Sequence, residues 1–293
     1  MSDPPPGGAA PRAERRAAGP VEASPVLTLR AEDGATATIH RHGAHVTSWR
    51  PMDGDERLYL SGRSGFEGNA AIRGGIPVIF PQFATEGPLP RHGFARTSTW
   101  SLGGVSRGSA GEAELELVLR DSAATHAIWD AAFRAIVSVA LFGQKMAVSL
   151  VVENVGDAPF SFTAALHTYF RVRDVARAEI VGLRGARYRG EDRSLIEDSA
   201  ERLRIDGFLD RVYVGAPSHL ELHENGRRML IDAEGFPDAV VWNPGPERAA
   251  ALADLDPGGE RQFVCIEAAV VQEPVTLGPR RRWTGTQTLT AAS

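Results

Sequence analysis

The stretch Ala113–Arg120, AELELVLR, alternates apolar and charged side chains along most of its length. A second stretch, residues 146–153 (MAVSLVVE), places its apolar residues at the same spacing. Successive side chains of a strand point to opposite faces of a sheet, so a period of two predicts strands with one buried face. Both stretches therefore favour half-buried antiparallel strands.

Similar runs follow along the chain, separated by Gly, Pro, Asp and Asn. They occupy residues 26–30, 36–40, 45–49, 57–60, 159–172, 218–223, 228–233, 239–242, 261–271 and 284–291. Helix formers dominate only in residues 122–133, where Asp121 and Ser122 could cap one or two turns. Residues 183–211 are charge-rich and predict a long loop with a strand or two. Because strands do not alternate with helices, the pattern predicts an all-β fold, a large antiparallel β-sandwich with few short helices.

The length of 293 residues allows one large domain or two ordinary ones. No internal repeat and no linker divides the body, so we expect a single β-sandwich domain over residues 26–293. Residues 1–25 are rich in Pro, Gly, Ala and Arg and contain no apolar run. They predict a disordered N-terminal leader rather than a secretory signal, with an organelle presequence as an alternative.

The net charge, the lengths of the apolar runs and the cysteine count restrict the ligands and the environment of this protein. A net charge of −5 argues against general nucleic-acid binding, and local basic clusters would have to serve any anionic ligand. No run of 18 apolar residues occurs, so we expect no membrane span. Cys265 is the only cysteine, which excludes an intrachain disulfide and a thiolate metal cluster. We expect a cytoplasmic protein that is a monomer or a weak homodimer.

Residues 71–100 form a loop-like stretch with glycines and four prolines. Pro residues exclude a regular helix, and Gly permits close approach of the backbone to a ligand. The same stretch supplies Arg73, Arg91, His92 and Arg96. It is either a surface loop with solvated arginines or part of a binding site.

His167 lies in a strand-like run, SFTAALHTYFRV, at even spacing from Ala165 and Tyr169. It is either a hydrogen-bonded core residue or a group that titrates near neutral pH. Glu267 interrupts an apolar run and shares a strand face with Cys265 and Ala269. A buried carboxylate needs a partner or access to water, so Glu267 is either half of a buried salt bridge or a site residue.

A glutamate base and a histidine acid that converge on one pocket could move protons without a metal, a cofactor or a nucleophile. The chain has no GxSxG, HExxH, P-loop or Rossmann motif. His40, His42 and His45 lie close together but span a strand–turn junction with no acidic residue beside them. We therefore expect no cofactor and no metal site.

Six segments in order, GGIPVIFPQF, LPRHGFAR, ALHTYFRV, LDRVY, VVWNP and FVCIEA, resemble the hexose-6-phosphate mutarotases (glucose-6-phosphate 1-epimerases) of the aldose 1-epimerase superfamily. The resemblance covers about residues 26–291. It implies a galactose mutarotase-like β-sandwich whose concave face holds the sugar. The implied activity is the interconversion of α and β anomers of a small-molecule hexose 6-phosphate, glucose 6-phosphate first, without a cofactor.

The resemblance also implies roles for individual residues. His167 would protonate the ring oxygen, and Glu267 would remove the proton from the C1 hydroxyl. His92 would hydrogen-bond the sugar near the ring oxygen, and Asp210 would bind sugar hydroxyls. Ring opening, rotation about C1–C2 and closure would then exchange the anomers.

The arginines of the loop-like stretch would separate a phosphosugar enzyme from a free-sugar enzyme. Arg73, Arg91 and Arg96 would reach the substrate and clamp its phosphate through charge-assisted bonds. Two positions depart from the family pattern, namely Arg91, where relatives often have a neutral residue, and Ala269, where many have glycine. Two other functions stay open: a mutarotase for unphosphorylated aldoses, and a non-catalytic phosphosugar-binding module.

Overall fold

The computed structural model describes residues 24–52, 54–66, 68, 70–109, 111–190 and 192–292. Twenty strands lie in these residues. In chain order the first ten are β1 (Val26–Arg30), β2 (Thr36–His40), β3 (His45–Arg50), β4 (Val78–Ile79), β5 (Ser101–Arg107), β6 (Ala113–Arg120), β7 (Phe133–Phe142), β8 (Lys145–Asn154), β9 (Phe160–Leu166) and β10 (Tyr169–Arg171). The other ten are β11 (Glu179–Val181), β12 (Arg187–Arg189), β13 (Leu195–Glu197), β14 (Arg202–Arg204), β15 (Leu209–Val214), β16 (His219–Glu224), β17 (Arg227–Glu234), β18 (Asp238–Asn243), β19 (Phe263–Leu277) and β20 (Arg282–Ala292).

The described residues form two α helices, α1 (Ala123–His126) and α2 (Gly245–Ala249). α1 is the short helix predicted within residues 122–133. The Ser122 side chain accepts from the Thr125 backbone, and the Thr125 hydroxyl accepts from the Ser122 backbone, so the helix starts with a reciprocal cap. In the part of the chain described, no helix is long and apolar enough to span a membrane.

The strands pair antiparallel in three sheets. The first is β1-β2-β3, and the largest has the order β14-β11-β16-β17-β20-β8-β7-β6-β5. The third has the order β13-β12-β15-β18-β19-β9-β4, with β10 also paired to β19. We call this third sheet the site sheet. Side chains from all three sheets, including Trp49, Val137, Leu150 and Ile266, belong to one buried cluster. This packing confirms the predicted all-β sandwich.

The side chains of β19 alternate between two faces of the site sheet. Ile266 and Ala268 point into the shared core. Cys265 and Ala269 lie on the opposite face, in two smaller apolar clusters. We call this second face the outer face. Glu267 lies between the two small clusters, on the face that the sequence predicted.

Two of the predicted strands differ in the structure. Residues 57–60 make only isolated bridges, Leu58 with Phe170 and Leu60 with Gly74, because they cross the ends of two different elements. The run predicted as one strand over residues 159–172 is interrupted at His167, whose backbone N–H donates to the carbonyl of Pro77 instead of a ladder partner. The predicted leader, residues 1–25, lies outside the described residues except for its last two.

Candidate active site

Glu267 lies in the middle of the site sheet. Its strand β19 is bordered by β18 and by β9, and Glu267 is directly opposite Val240 of β18. Only 1% of its side chain is exposed. A carboxyl group in such a position loses its hydration, and its charged form is costly unless a nearby group compensates.

His167 is that nearby group. Nδ1 of His167 lies 3.3 Å from Oε1 of Glu267, and 11% of the imidazole side chain is exposed. Among the described residues, neither His167 Nδ1 nor Glu267 Oε2 has a hydrogen-bond partner. The pair is therefore in contact, and two of its buried polar atoms have no hydrogen bond.

The break between β9 and β10 fixes the position of His167. Thr168, the next residue, donates from its hydroxyl to Oε1 of the buried Gln287 at 2.5 Å, which anchors the break to the core. The Tyr169 ring then stacks on the imidazole with centroids 4.9 Å apart. Trp242 of β18 meets the same imidazole edge-on at 5.8 Å. Rings on two sides restrict the rotamers of His167.

His92 completes the group of rings, with its centroid 6.1 Å from that of His167. Its backbone is left-handed (φ 65°), and the N–H of Ala84 donates to its Nδ1 at 3.2 Å. Nδ1 is thus an acceptor, so the proton of the neutral ring is on Nε2. Burial and the charges of Arg96, Arg91 and Arg73 lower the pKa of His92 to about 3. His92 is a neutral Nε2–H donor at physiological pH.

Burial also controls the charge of the central pair. It lowers the pKa of His167 well below its ordinary value of 6.5, and the positive charges of Arg73 and Arg96 lower it further. Burial raises the pKa of Glu267 well above 4.5, Asp210 adds to this rise, and Arg96 opposes it. Burial thus disfavours the charged form of both groups in the free protein.

Arg73 is held in place by two partners. Its Nε and Nη2 bind both carboxylate oxygens of Asp254, with Nη2 3.1 Å from Oδ2. Its Nη1 donates to the hydroxyl of Tyr169 at 3.0 Å. Asp254 lies 181 residues away in the sequence. This bidentate contact orients the guanidinium but also uses part of its donor capacity.

Arg96 is the less satisfied arginine. Its Nη2 donates to the backbone carbonyl of Arg91 at 3.3 Å. Within the described residues its buried Nε has no hydrogen-bond partner. Burial lowers the pKa of Arg96, Tyr169 opposes this, and the charges of Arg73 and Arg91 lower it again. An anion at this position would relieve both the repulsion and the missing bond.

Asp210 of β15 lies on the second strand from β19 and is paired with Trp242. Its side chain is exposed, yet burial raises its pKa, while Arg248, Arg91 and Arg189 lower it. These observations agree if protein surrounds the carboxylate on several sides while its oxygens still reach solvent. Asp210 is therefore an accessible acceptor in a concave, positively charged setting.

The structure brings all seven predicted site residues to one region of the outer face. His167 and Glu267 are in contact, and the His92 ring is beside them. Arg73 is linked to His167 through Tyr169, and Arg96 donates to the backbone of Arg91. The charges of Asp210 and Arg96 act on Glu267. Three further residues of the site had no predicted role, namely Tyr169, Trp242 and Asp254. Tyr169 and Trp242 lie inside segments that carried the family resemblance, which was a usable signal, whereas nothing in the sequence marked Asp254.

The three clustered histidines of the N-terminal sheet have separate surroundings. His45 is fully buried and its Nε2 lies 2.7 Å from the carbonyl of Gly74, beneath the loop of Arg73. His42 contacts the carbonyl of Ala70, and His40 stacks on Phe66. In the described residues, no group of three His, Cys, Asp or Glu side chains is arranged to hold a metal ion.

Several known proteins are similar to this chain in sequence or in fold. The sequence model of the aldose 1-epimerase family matches residues 25–290. A Cenchrus ciliaris protein named "Putative glucose-6-phosphate 1-epimerase" is 35% identical over 277 residues, 90% of this chain and 84% of the relative. A protein of the same name from Escherichia coli K12 is 32% identical over 270 residues, 85% of this chain and 88% of the relative.

Among solved structures, one described as a "putative mutarotase" from Salmonella typhimurium has a TM-score of 0.81 and 26% sequence identity. The match covers 96% of this chain and 97% of that one. These findings extend over the whole sandwich from β1 to β20. They confirm the resemblance inferred from the six segments, and with it an enzyme of the epimerase class. The chain belongs to the aldose 1-epimerase family.

Proposed function

We propose that this protein interconverts the α and β anomers of a hexose 6-phosphate, with glucose 6-phosphate as its substrate. The observation that carries the proposal is the contact between His167 and Glu267 on the outer face, next to an arginine with an unsatisfied buried donor. The pair provides proton transfer, and the arginine provides a place for the phosphate. The names of the relatives support the same substrate.

His167 is the acid and Glu267 the base. The imidazolium gives a proton to the ring oxygen, the carboxylate takes the proton of the C1 hydroxyl, and the C1–ring oxygen bond breaks to leave an open-chain aldehyde. Rotation about C1–C2 exposes the other face of the aldehyde. Closure then reverses both transfers, and each positioned transfer contributes about 10²–10⁴-fold to the rate.

The contact distance suits this chemistry. The ring oxygen and the C1 hydroxyl oxygen are bonded to the same carbon, so the acid and the base must act only a few atoms apart. A separation of 3.3 Å between Nδ1 and Oε1 satisfies that requirement in the free protein. Substrate binding needs only a small adjustment for each group to reach its own oxygen.

The pair can also hold the right number of protons in either of two arrangements. A neutral imidazole with a protonated carboxyl and an imidazolium with a carboxylate differ only in the position of one proton. A phosphate near Arg73 and Arg96 would cancel part of the positive field that lowers the pKa of His167. Binding of the phosphosugar thus favours the reactive ionised form.

The other residues bind and orient the sugar. The Nε2–H of His92 donates near the ring oxygen, and the carboxylate of Asp210 accepts from sugar hydroxyls. Arg96 contacts the phosphate most directly, Arg91 adds charge from the exposed side, and Arg73 is aligned by Asp254 and Tyr169. A planar guanidinium suits two oxygens of one phosphate.

The test is the rate at which freshly dissolved α-glucose 6-phosphate reaches anomeric equilibrium, followed by NMR or by a β-specific coupled dehydrogenase. We expect catalytic amounts of protein to accelerate it, with a larger kcat/KM than for glucose. Faster turnover of free glucose would instead support an enzyme for unphosphorylated aldoses. Saturable binding of glucose 6-phosphate without acceleration would support a non-catalytic binding module.

The remaining expectations from the sequence belong to the same proposal. They are one domain over residues 26–293, a cytoplasmic location, a monomer or weak homodimer, and a small-molecule ligand rather than a nucleic acid. Size-exclusion chromatography with light scattering tests the oligomeric state directly.

A further inference from the structure

A second basic region lies beyond the end of β10. It is a cavity of about 560 Å³, and its lining includes Arg50, Arg171, Arg173 and Arg227. Ligand sites commonly have volumes between about 300 and 1,000 Å³, so this cavity is large enough for a small molecule. It shares none of its lining residues with the site of His167 and Glu267.

The acidic residues of the cavity do not balance the arginines. Glu56 lies 3.7 Å from Nε of Arg50, and its oxygens also accept the backbone N–H groups of Trp49 and Leu58 and the hydroxyl of Ser48. Asp55, which is 76% exposed, pairs with Arg227. Glu56 is thus part of the wall, and Asp55 is a solvated rim group of small electrostatic effect.

Two of the arginines have no such partner. Arg171 and Arg173 are exposed and alternate along the chain, so their side chains leave the same side of the backbone. Within the part of the chain that the structure describes, neither guanidinium lies within 4 Å of a carboxylate. Each of them therefore keeps a full set of donors for a ligand.

The adjoining recess adds a third observation. It shares Arg171 and Arg227 with the cavity and is also lined by Arg57. The Nε of Arg57 is buried without a hydrogen-bond partner in the described residues. Burial and the charge of Arg227 lower the pKa of Arg57, with Asp55 opposing them. A bound anion would reduce this repulsion.

We propose that this cavity binds a compact polyanion, a small molecule with two or more phosphate groups. Guanidinium groups from three separate segments of the chain surround it, which suits phosphates that are spaced apart. Among the described residues that line it there is no aromatic side chain, so they offer no surface for stacking a nucleotide base. Charged oxygens are thus the feature that it can recognise.

Isothermal titration of the full-length protein with inorganic pyrophosphate tests the proposal. We expect saturable binding that weakens as salt is added, and a Kd raised about tenfold or more in the double variant Arg171→Ser with Arg173→Ser. The charge-preserving double variant Arg171→Lys with Arg173→Lys should retain part of the affinity. Inorganic phosphate should bind more weakly than pyrophosphate, because it contacts fewer of the arginines.

Two comparisons separate this cavity from other sources of binding. The matched double variant Arg30→Ser with Arg107→Ser removes the same charge from exposed positions elsewhere and should change Kd by less than about twofold. Arg96→Ala removes the phosphate contact proposed at the site of His167 and Glu267, so pyrophosphate binding that persists in this variant belongs to the cavity. The proposal fails if the wild-type protein does not bind pyrophosphate, if the matched control weakens binding equally, or if Arg96→Ala alone abolishes it.

Discussion

The ring of Tyr169 stacks on the imidazole of His167, with the centroids 4.9 Å apart and the planes 14° from parallel. The hydroxyl of the same tyrosine accepts a hydrogen bond from Nη1 of Arg73. One side chain thus fixes the orientation of the proposed acid and of one proposed phosphate ligand. This link makes Tyr169 a positioning residue whose two contacts can be separated.

Tyr169→Phe keeps the stacked ring and removes the hydroxyl. We expect KM for glucose 6-phosphate to rise by about tenfold, since Arg73 loses a bond worth roughly 1.5 kcal/mol, while KM for glucose changes little. Steady-state mutarotation with both sugars measures the difference. Tyr188→Phe, at a ring that packs on Tyr213, is the control and should behave as wild type. An equal rise in both KM values would assign Tyr169 a general structural role.

Glu267→Gln replaces the proposed base with a group that has the shape of the protonated carboxyl but cannot accept the C1 proton. We expect kcat to fall by about 10²–10⁴-fold, with binding of glucose 6-phosphate preserved. Mutarotation rates and calorimetric Kd values provide the two readouts. A variant with undiminished kcat would remove Glu267 from the mechanism.

Arg96→Ala removes the guanidinium that has a free buried donor. It should raise KM for glucose 6-phosphate far more than for glucose, by about tenfold or more, because only the phosphate makes that contact. Arg120→Ala, at an exposed arginine on β6, is the control for a lost charge. Equal effects of Arg96→Ala on the two sugars would contradict the phosphate clamp and would favour an enzyme for free aldoses.

The sequence predicted strands where alternation or a short apolar run bounded by turn residues marked them, and it missed β5 and β7. β6 and β8 alternate along most of their length, whereas β7 is almost continuously apolar and β5 contains two adjacent glycines, so periodicity did not mark either one. In the site, the face of Glu267 followed from the alternation in β19. The Arg73–Asp254 contact could not follow, because a pair 181 residues apart is formed only by the tertiary fold.

The buried Glu267 should also cost stability, and the cost should depend on pH. Burial raises the pKa of Glu267 in the folded protein. Below pH 4.5, its ordinary pKa, the carboxyl is protonated in the folded and in the unfolded chain, so its ionisation does not change the stability. Above that pH the unfolded chain ionises more readily, and the folded state loses up to about 1.4 kcal/mol per pH unit until the raised pKa is reached.

Glu267→Gln should therefore raise Tm increasingly as the pH rises above about 5, by roughly 2 °C per kcal/mol. Scanning calorimetry at several pH values measures it. Glu179→Gln is a control of opposite sign, because hydrogen bonds from Arg202 and Arg204 lower the pKa of Glu179, and losing this carboxylate should reduce Tm slightly at neutral pH. A Tm difference that does not grow with pH would show that Glu267 is charged in the folded protein.

The pH dependence of catalysis should respond in opposite directions to two charge changes near Glu267. The active pair holds one shared proton, so kcat/KM declines at alkaline pH as that proton is lost. Arg96 lowers the pKa of Glu267 and Asp210 raises it. Removing the cation in Arg96→Ala should move the alkaline decline to higher pH, and removing the anion in Asp210→Asn should move it to lower pH.

Measurements with glucose 6-phosphate above about pH 7 keep the substrate phosphate in one ionisation state, since its second pKa is about 6. Spontaneous mutarotation is subtracted at each pH. The pH at which kcat/KM declines does not depend on the overall loss of affinity that each variant causes. The shifts of this pH in the two variants can therefore be compared directly. If both variants shift the decline in the same direction, the proton that limits the rate does not belong to Glu267, because a single carboxyl must respond with opposite sign to the loss of a positive and a negative neighbour.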